Sequence, residues 1–439
     1  MLRDLLSHLK RWQTKATHLP LLLRGPRQVG KTFLIEQFGK AYFDNLVTIN
    51  FEESPEYKAC FDTLKPDEIL AKIEVLSQQS IVPGKTLLFL DEIQSCTSAI
   101  IALRYFKEQL PALHVIGAGS LLEFALREKN MSMPVGRVQY CYLKPLSFNE
   151  YLQASDNQNL IEFLNTATIQ SGIPTAIHEK ALKLVREYMI IGGMPMVVAA
   201  HIEGQSLREC QEYQTIILRT YGDDFAKYAA TSRHKYLQQV YNQTPGLVGE
   251  QIKYVKISPD MDSRYLKDAI SDLSKAGVIS PIYSTSASGL PLVTHTNEKK
   301  FKLLFLDIGI LKRATRLDME LLFAEDLMLL NRGAIAEQFV GQELLAYQNP
   351  HDQPHLYYWS RDEKSSQAEV DYIINIDSKI VPIEVKSGKT GSLKSLHIFL
   401  EEKNCPLGVR ISAKELSRHQ NIISIPLFMI NQLERLIAE

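Results

Sequence analysis

Along the first 150 residues, short apolar runs alternate with segments in which apolar side chains recur every three or four positions. Leu21–Leu23, "NLVTINFEE", "TLLFLDEIQ" and "LHVIGAGS" read as strands. A helix begins at Lys31, helical pattern returns up to about Gln79, and another helix covers 98–109. Apolar strands alternating with helices predict a mostly parallel sheet covered on both faces. Residues 1–16 read as an amphipathic helix ahead of it. From Ser147 to Tyr228 the pattern is helical, broken at "IQSGIP" and "IGGMP". Residues 233–298 predict a helix, a second around "VGEQIKYVKI", a third at "DSRYLKDAISDLSKAGVI", and two strands, "SPIYSTS" and "LPLVTHT", around the turn "ASGL". Three helices and a hairpin outline a winged helix-turn-helix. After a linking stretch near 311–330, "GAIAEQFVGQELLAY" predicts the helix that opens a last α/β unit. The expected fold class is α/β, in four parts: a P-loop domain at 1–150, a helical lid or linker at 151–230, a winged helix at 231–310 and an α/β domain at 311–439.

Within that last unit, "AEVDYIINIDSKIVPIEVKSGKT" reads as a hairpin that carries Glu369, Asp371, Glu384 and Lys386 in otherwise apolar strands. Residues of equal parity share a strand face. With the turn at Ser378–Lys379, Asp371 lies opposite Lys386; with the loop Ile376–Lys379, it lies opposite Glu384. Either register brings Asp371 within cross-strand or diagonal reach of Glu384 and Lys386. Converging carboxylates repel unless a cation lies between them, and oxygen ligands suit Mg²⁺ or Mn²⁺. The competing reading is an amphipathic hairpin whose charges face water.

At 439 residues the chain exceeds one ordinary core, and 45% hydrophobic with 23% charged residues is a soluble globular composition. A formal net charge of −1 leaves any nucleic-acid binding to a local basic patch. Cys60, Cys96, Cys141, Cys210 and Cys405 are scattered and form no C-x-x-C pair, against a zinc site or a disulfide framework. A reducing, cytoplasmic setting is expected. The amphipathic N-terminus is charged throughout and no apolar run spans a bilayer, so neither a signal peptide nor a membrane partner is expected.

"GPRQVGKT", comprising Gly25, Pro26, Arg27, Gln28, Val29, Gly30, Lys31 and Thr32, satisfies G-x-x-x-x-G-K-[ST] between a strand and a helix. Its glycines let backbone N–H groups curl around phosphate, and the helix N-terminus adds partial positive charge. Lys31 is expected on the β/γ-phosphates of ATP and Thr32 on Mg²⁺. "TLLFLDEIQ" delivers Asp91 and Glu92 at the end of a buried strand, Asp91 for the Mg²⁺ shell and Glu92 for the attacking water. Taken alone, an acidic pair after a strand reads as a solvated loop start; beside the P-loop it reads as catalytic.

On "LLRGPRQVGKT", "LFLDEIQ", "VIGAGS", "GRVQYCYLKPLSFNEYL", "GGMP" and "LDIGIL", the chain resembles the AAA+ class of P-loop ATPases. The closer resemblance is to prokaryotic ATP-binding proteins that join such a module to a C-terminal domain of unknown function. The resemblance implies a sensor-1 role for Ser120 and a restraint on Glu92 by Asn50, against a turn-forming Asn. Arg137 is read as an arginine finger acting on a neighbouring subunit, against a surface guanidinium; as a finger it implies a homo-oligomer. The order Glu337 on a helix, Asp371 on a strand, then Glu384-x-Lys386 resembles the restriction-endonuclease-like superfamily. That likeness implies metal positions at Asp371 and Glu384, a catalytic Lys386, and Glu337 as a supporting acid; "AEVD" replaces the more usual Pro-Asp. Glu369, on the same strand face as Asp371, is expected as an extra acid.

In the winged segment, Arg264, Lys267 and Lys275, Lys253 and Lys256, and Lys299, Lys300 and Lys302 are candidates for DNA phosphates, with Asp260, Asp262, Asp268 and Asp272 interleaved among them. The combined expectation is an ATPase whose turnover gates engagement or metal-dependent cleavage of DNA. The alternative is an ATP-driven switch whose C-terminal modules bind DNA or a regulatory protein without cutting.

Overall fold

Strands β1 (Leu21–Arg24), β2 (Asn45–Asn50), β3 (Thr86–Asp91), β4 (His114–Gly119) and β5 (Gln139–Tyr142) make the first sheet. They belong to a computed structural model that describes residues 1–120, 136–228, 231–315, 332–363, 366–386 and 392–439. The order is β2-β3-β4-β1-β5 and every pairing is parallel. Alternation decides which face each residue covers. Leu21, Leu23, Leu87, Phe89 and Ile116 pack with α1 (Leu5–Gln13) and α2 (Lys31–Tyr42), while Leu22, Leu88, Leu90 and Val115 pack with α3 (Pro66–Ser77) and α4 (Thr97–Gln109). β5 adds to the expected strands: β1 offers it an edge, pairing Leu21 with Gln139 through Arg24 with Tyr142. Because all five strands run one way, the loop after Arg24 and the ends of β2, β3 and β4 reach the same carboxyl edge.

The middle is helical, as expected: α5 (Phe148–Ala154), α6 (Gln158–Thr166), α7 (Thr175–Ile191), α8 (Pro195–Ile202) and α9 (Leu207–Tyr228). It continues with α10 (Thr231–Leu247), a single turn α11 (Tyr254–Ile257), α12 (Ser263–Lys275), β6 (Ile279–Thr285) and β7 (Thr296–Phe305). Two expectations shift. The helix around "VGEQIKYVKI" shrinks to α11, and "LPLVTHT" forms a 3₁₀ turn at Leu292–His295, with the strand starting only at Thr296. Pro291 has no N–H to give a ladder, and Leu292 turns into the core.

The remaining elements are α13 (Ile308–Ala314), α14 (Arg332–Ala346), β8 (Leu356–Glu363), β9 (Ser366–Ile376), β10 (Lys379–Val385), α15 (Lys394–Glu402), β11 (Gly408–Ser412), β12 (Ser417–His419), β13 (Ile422–Pro426) and α16 (Leu433–Ala438). They build one mixed sheet, β12-β13-β11-β10-β9-β8-β6-β7. β6 pairs in parallel with β8, Ile282 opposite Leu356, so the β6–β7 hairpin is the sheet's edge and the sheet crosses the boundary expected at 310/311. β9 and β10 turn through Asp377 (φ 46°) and Ser378 (φ 63°), the two left-handed residues that a type I′ hairpin requires. The ladder runs from Ile376–Lys379 to Tyr372–Ile383; its continuation sets Asp371 opposite Glu384.

A buried polar network ties the parts together. Asp307 caps α13 by accepting from Ile310 N (3.0 Å), and it accepts from Gly193 N at 2.6 Å. Gln342 accepts from Ile308 N (2.8 Å) and donates to the Tyr188 hydroxyl (2.8 Å). Gln338 holds both backbone groups of Phe305 at 2.9 Å, and Glu343 accepts Phe148 N at 3.0 Å. Gly192 sits at φ 79°, and a Cβ there would lie 2.1 Å from the Asp307 carboxylate. "GGMP", "LDIGIL", "LSFNEYL" and "AEQFVGQEL" are therefore parts of one hydrogen-bonded joint.

Candidate nucleotide site and C-terminal acidic cluster

The turn after β1 places Gln28 at φ 61° and Gly30 at φ 87°, and α2 begins at Lys31. Positive φ at such positions lets successive backbone N–H groups turn to one side of a loop, the condition for phosphate binding. The buried Lys31 ammonium donates to Gly25 O (3.0 Å) and Pro26 O (2.8 Å). Burial lowers its pKa to about 8, against the raising influence of Glu92 and Asp91. Val29 is fully buried, its carbonyl accepting from Arg3 Nη1 at 2.9 Å, and Arg3 also pairs with Glu150 (2.9 Å) in the capping box of α5.

Thr32 Oγ1 donates to Asp91 Oδ2 at 2.7 Å, so the two expected Mg²⁺ ligands meet. Burial raises the Asp91 carboxyl above the ordinary value. Two hard oxygen donors, one anionic, beside a phosphate cradle fit Mg²⁺. Glu92 takes a left-handed backbone (φ 47°), and Gln94 Nε2 donates to its carboxylate at 2.5 Å. Asn50 does not reach Glu92: its Oδ1 accepts Glu52 N (3.0 Å) and Glu53 N (3.2 Å), the turn-forming alternative. The side chain bonded to Glu92 is instead Gln94, which sequence reasoning missed; an amide two residues from Glu92 was its signal.

Ser120 is buried and accepts from Arg27 Nε at 3.4 Å. Arg27 also pairs with the buried Asp224 of α9 (2.7 Å), and its carbonyl accepts from the Tyr221 hydroxyl at 2.6 Å. Pro195 and Gly277 pack against Gly30 and Pro26. The P-loop is thus gripped by three downstream segments, none of which the motif announces. Arg137 lies apart, at the amino end of β5, half-exposed and bonded to Glu108 at 3.0 Å. Its own chain's P-loop is at the opposite edge of the sheet.

In the C-terminal sheet, Glu337, Glu369, Asp371, Glu384 and Lys386 do gather. Lys386 Nζ pairs with Glu384 Oε1 at 2.5 Å, and Asp371 Oδ2 accepts Val385 N at 2.7 Å. The unexpected member is Lys302. Grouped in the sequence with Lys299 and Lys300, it is instead almost wholly buried: its ammonium is 2.5 Å from Glu369, 3.1 Å from Glu337 and 3.9 Å from Asp371. β7's place beside β6 explains this, since alternation turns Phe301 and Leu303 to one face and Lys302 to the acids. Burial alone would lower the Lys302 pKa; Glu337, Glu369 and Asp371 outweigh it and push it up. Burial, then Glu337 and Glu384, raise the Asp371 carboxyl well above its usual range, and burial raises Glu384 despite Lys386.

This donor set does not fit a divalent metal as arranged. Among the described residues no cluster of three or more His, Cys, Asp or Glu is disposed to hold an ion, and ammonium groups already meet all four carboxylates. Within this cluster one buried carboxylate oxygen, Glu384 Oε2, lacks a hydrogen-bond partner, which is less than a ligand set.

Of the other candidate phosphate contacts, Lys253, Lys256, Arg264, Lys267, Lys275 and Lys299 are exposed. Arg264 is paired with Asp262 (2.9 Å) and Lys256 with Glu250. No described helix is long and apolar enough to cross a membrane.

Residues 17–152 match the AAA domain family. Residues 182–321 and 332–428 match two domains of unknown function, DUF8612 and DUF4143. No curated protein matches the chain. Among solved structures, the Aeropyrum pernix Orc1 protein in complex with DNA is 12% identical, covering 72% of this chain and 93% of that one at a TM-score of 0.29. The Thermotoga maritima RuvB Holliday junction branch migration motor is 16% identical, covering 63% and 86% at 0.29. The S. cerevisiae Hsp104–ADP complex is 14% identical, covering 63% and 38% at 0.28. The N-terminal part is an AAA domain of the ATP-binding ATPase type, on the family match together with the strand order and the P-loop geometry.

Proposed function

We propose that this AAA domain is a working Mg²⁺-dependent ATPase whose nucleotide state controls how the downstream domains engage DNA. The grip on the P-loop carries the reading: Arg27 is bonded to Asp224 of α9 and, through its carbonyl, to Tyr221, so a change in loop shape moves the middle helices. The backbone N–H groups of Gly25–Thr32 cradle the phosphates. Lys31 exchanges the Gly25 and Pro26 carbonyls for β/γ-phosphate oxygens. Thr32 and Asp91 would hold Mg²⁺, which would supply neutralisation of the phosphate charge when bound. Glu92, released from Gln94, positions and deprotonates the attacking water, and Ser120 hydrogen-bonds to that water or to the γ-phosphate. Arg137 acts in trans, in a homo-oligomer, once it leaves Glu108.

Phosphate release with and without duplex, forked and single-stranded DNA tests this reading, run alongside Glu92→Gln. The expected result is DNA binding whose affinity changes with a non-hydrolysed ATP analogue, and turnover reduced about 10²–10⁴-fold by Glu92→Gln at unchanged nucleotide affinity. Turnover indifferent to Glu92→Gln would sink the catalytic assignment. Nucleotide-dependent turnover without binding to any DNA form would leave the second reading, a switch acting on a protein partner. The ion-paired state of Arg264 on α12 and Lys256 on α11 favours that reading over DNA at these two helices.

A further inference from the structure

The C-terminal cluster has the residue types of a metal-dependent nuclease, yet its centre is occupied by the chain itself. Lys302 enters from β7, a strand outside the hairpin and α14 that supply the acids. Its backbone is fixed in the ladder opposite Ile282, and its side chain is 2% exposed. The ammonium is within 4 Å of carboxylates from α14 (Glu337) and from two positions on β9 (Glu369 and Asp371), with the Tyr358 ring at 5.5 Å. The fourth carboxylate, Glu384, has Lys386. A cation that several carboxylates approach from different elements is the electrostatic role of a bound metal ion, and a second cation there would meet a fixed like charge.

We infer that Lys302 is an internal replacement for the metal ion, so that the nuclease-like cluster excludes divalent cations and serves to fasten the wing hairpin to the C-terminal sheet. Its consequence is that this unit binds or transmits without cleaving phosphodiesters by metal chemistry. The inference goes beyond the ATPase reading and stands or falls separately, because it concerns neither the P-loop nor turnover.

The test counts bound Mn²⁺ by electron paramagnetic resonance on the full-length, nucleotide-free chain. Wild type, Asp371→Asn, Lys302→Met and the double variant Lys302→Met/Asp371→Asn are compared. Any ion at Thr32 and Asp91 is common to all four and cancels. Wild type and Asp371→Asn are expected to bind the same amount. Lys302→Met is expected to gain about one Mn²⁺ per chain, lost again in the double variant, because removing the ammonium leaves oxygen ligands of the kind the ion prefers. An Asp371-dependent Mn²⁺ in the wild-type chain overturns the inference, and this comparison needs no Lys302 variant to fold. A folded Lys302→Met, verified by circular dichroism, that gains no ion overturns it as well.

Discussion

Glu343→Gln tests the buried joint through its pH dependence. Glu343 lies on α14, accepts Phe148 N at 3.0 Å with both oxygens and receives the Tyr347 hydroxyl at 2.7 Å. Burial raises its pKa from 4.5 to about 8. At about 1.36 kcal/mol per tenfold change in acidity, that rise is a penalty on the ionised form of about 5 kcal/mol, an upper bound. Below pH 4.5 the carboxyl is protonated folded and unfolded, and its contribution to stability is fully present. Between 4.5 and 8 the folded chain keeps a proton that the unfolded chain has lost, so stability falls as pH rises, and above 8 the loss is complete. Asp307, raised to about 6 by burial, adds a slope of the same sign in both proteins and drops out of their difference.

Gln keeps the shape and an acceptor for Phe148 N but has no proton to lose. The melting temperature of Glu343→Gln relative to wild type should therefore climb between pH 5 and pH 8.5. At about 2–4 °C per kcal/mol for domains of ordinary size, several degrees separate the two ends of that range. Calorimetry across the range reads the difference directly. Parallel melting curves at every pH would refute the reasoning, because they would mean that Glu343 carries no proton difference between the folded and unfolded chain.

Gln94→Leu removes the donor that holds Glu92 and should raise basal ATP turnover. The upper limit is the strength of one charge-assisted hydrogen bond, about 1.5–3 kcal/mol, and a fall in kcat at constant nucleotide affinity would make Gln94 an orienting residue instead. Asp224→Asn leaves Arg27 without its buried counter-ion and should destabilise the nucleotide-free chain by about 1–3 kcal/mol, less than a fully buried pair because Arg27 is partly exposed. A non-hydrolysed ATP analogue should narrow that deficit by giving Arg27 a phosphate partner. Equal losses of melting temperature with and without the analogue would count against the coupling.

How much of this was legible follows from where each interaction has its partner. A phosphate cradle needs consecutive residues with special backbone angles, so Gly25–Thr32 could be read directly, and a buried strand ending in two carboxylates located Asp91 and Glu92. Parity placed Asp371 and Glu384 together because a hairpin's register has few solutions. The partners that modify these sites come from far along the chain. Arg27 meets Asp224, 197 positions on, and Lys302 reaches Glu337 across 35. In the sequence Lys302 sits beside Lys299 and Lys300 and reads as part of the same basic wing. Only the sheet that joins β7 through β6 to β8 turns it inward. The same reasoning covers "GGMP" and "LDIGIL", which carry no chemistry of their own. Gly193 N and Asp307 answer each other's unmet hydrogen bonds across 114 residues, so each motif makes sense only beside the other. Arg3 bonds both Val29 of the P-loop and Glu150 of α5, and α14 bonds Phe148 at the start of α5, so hydrogen bonds join the P-loop to the helix that carries Glu337. Lys302 extends that connection: its ammonium bridges Glu337 on α14 to Glu369 on β9, and so ties β7 and β9 of the C-terminal sheet to the same helix.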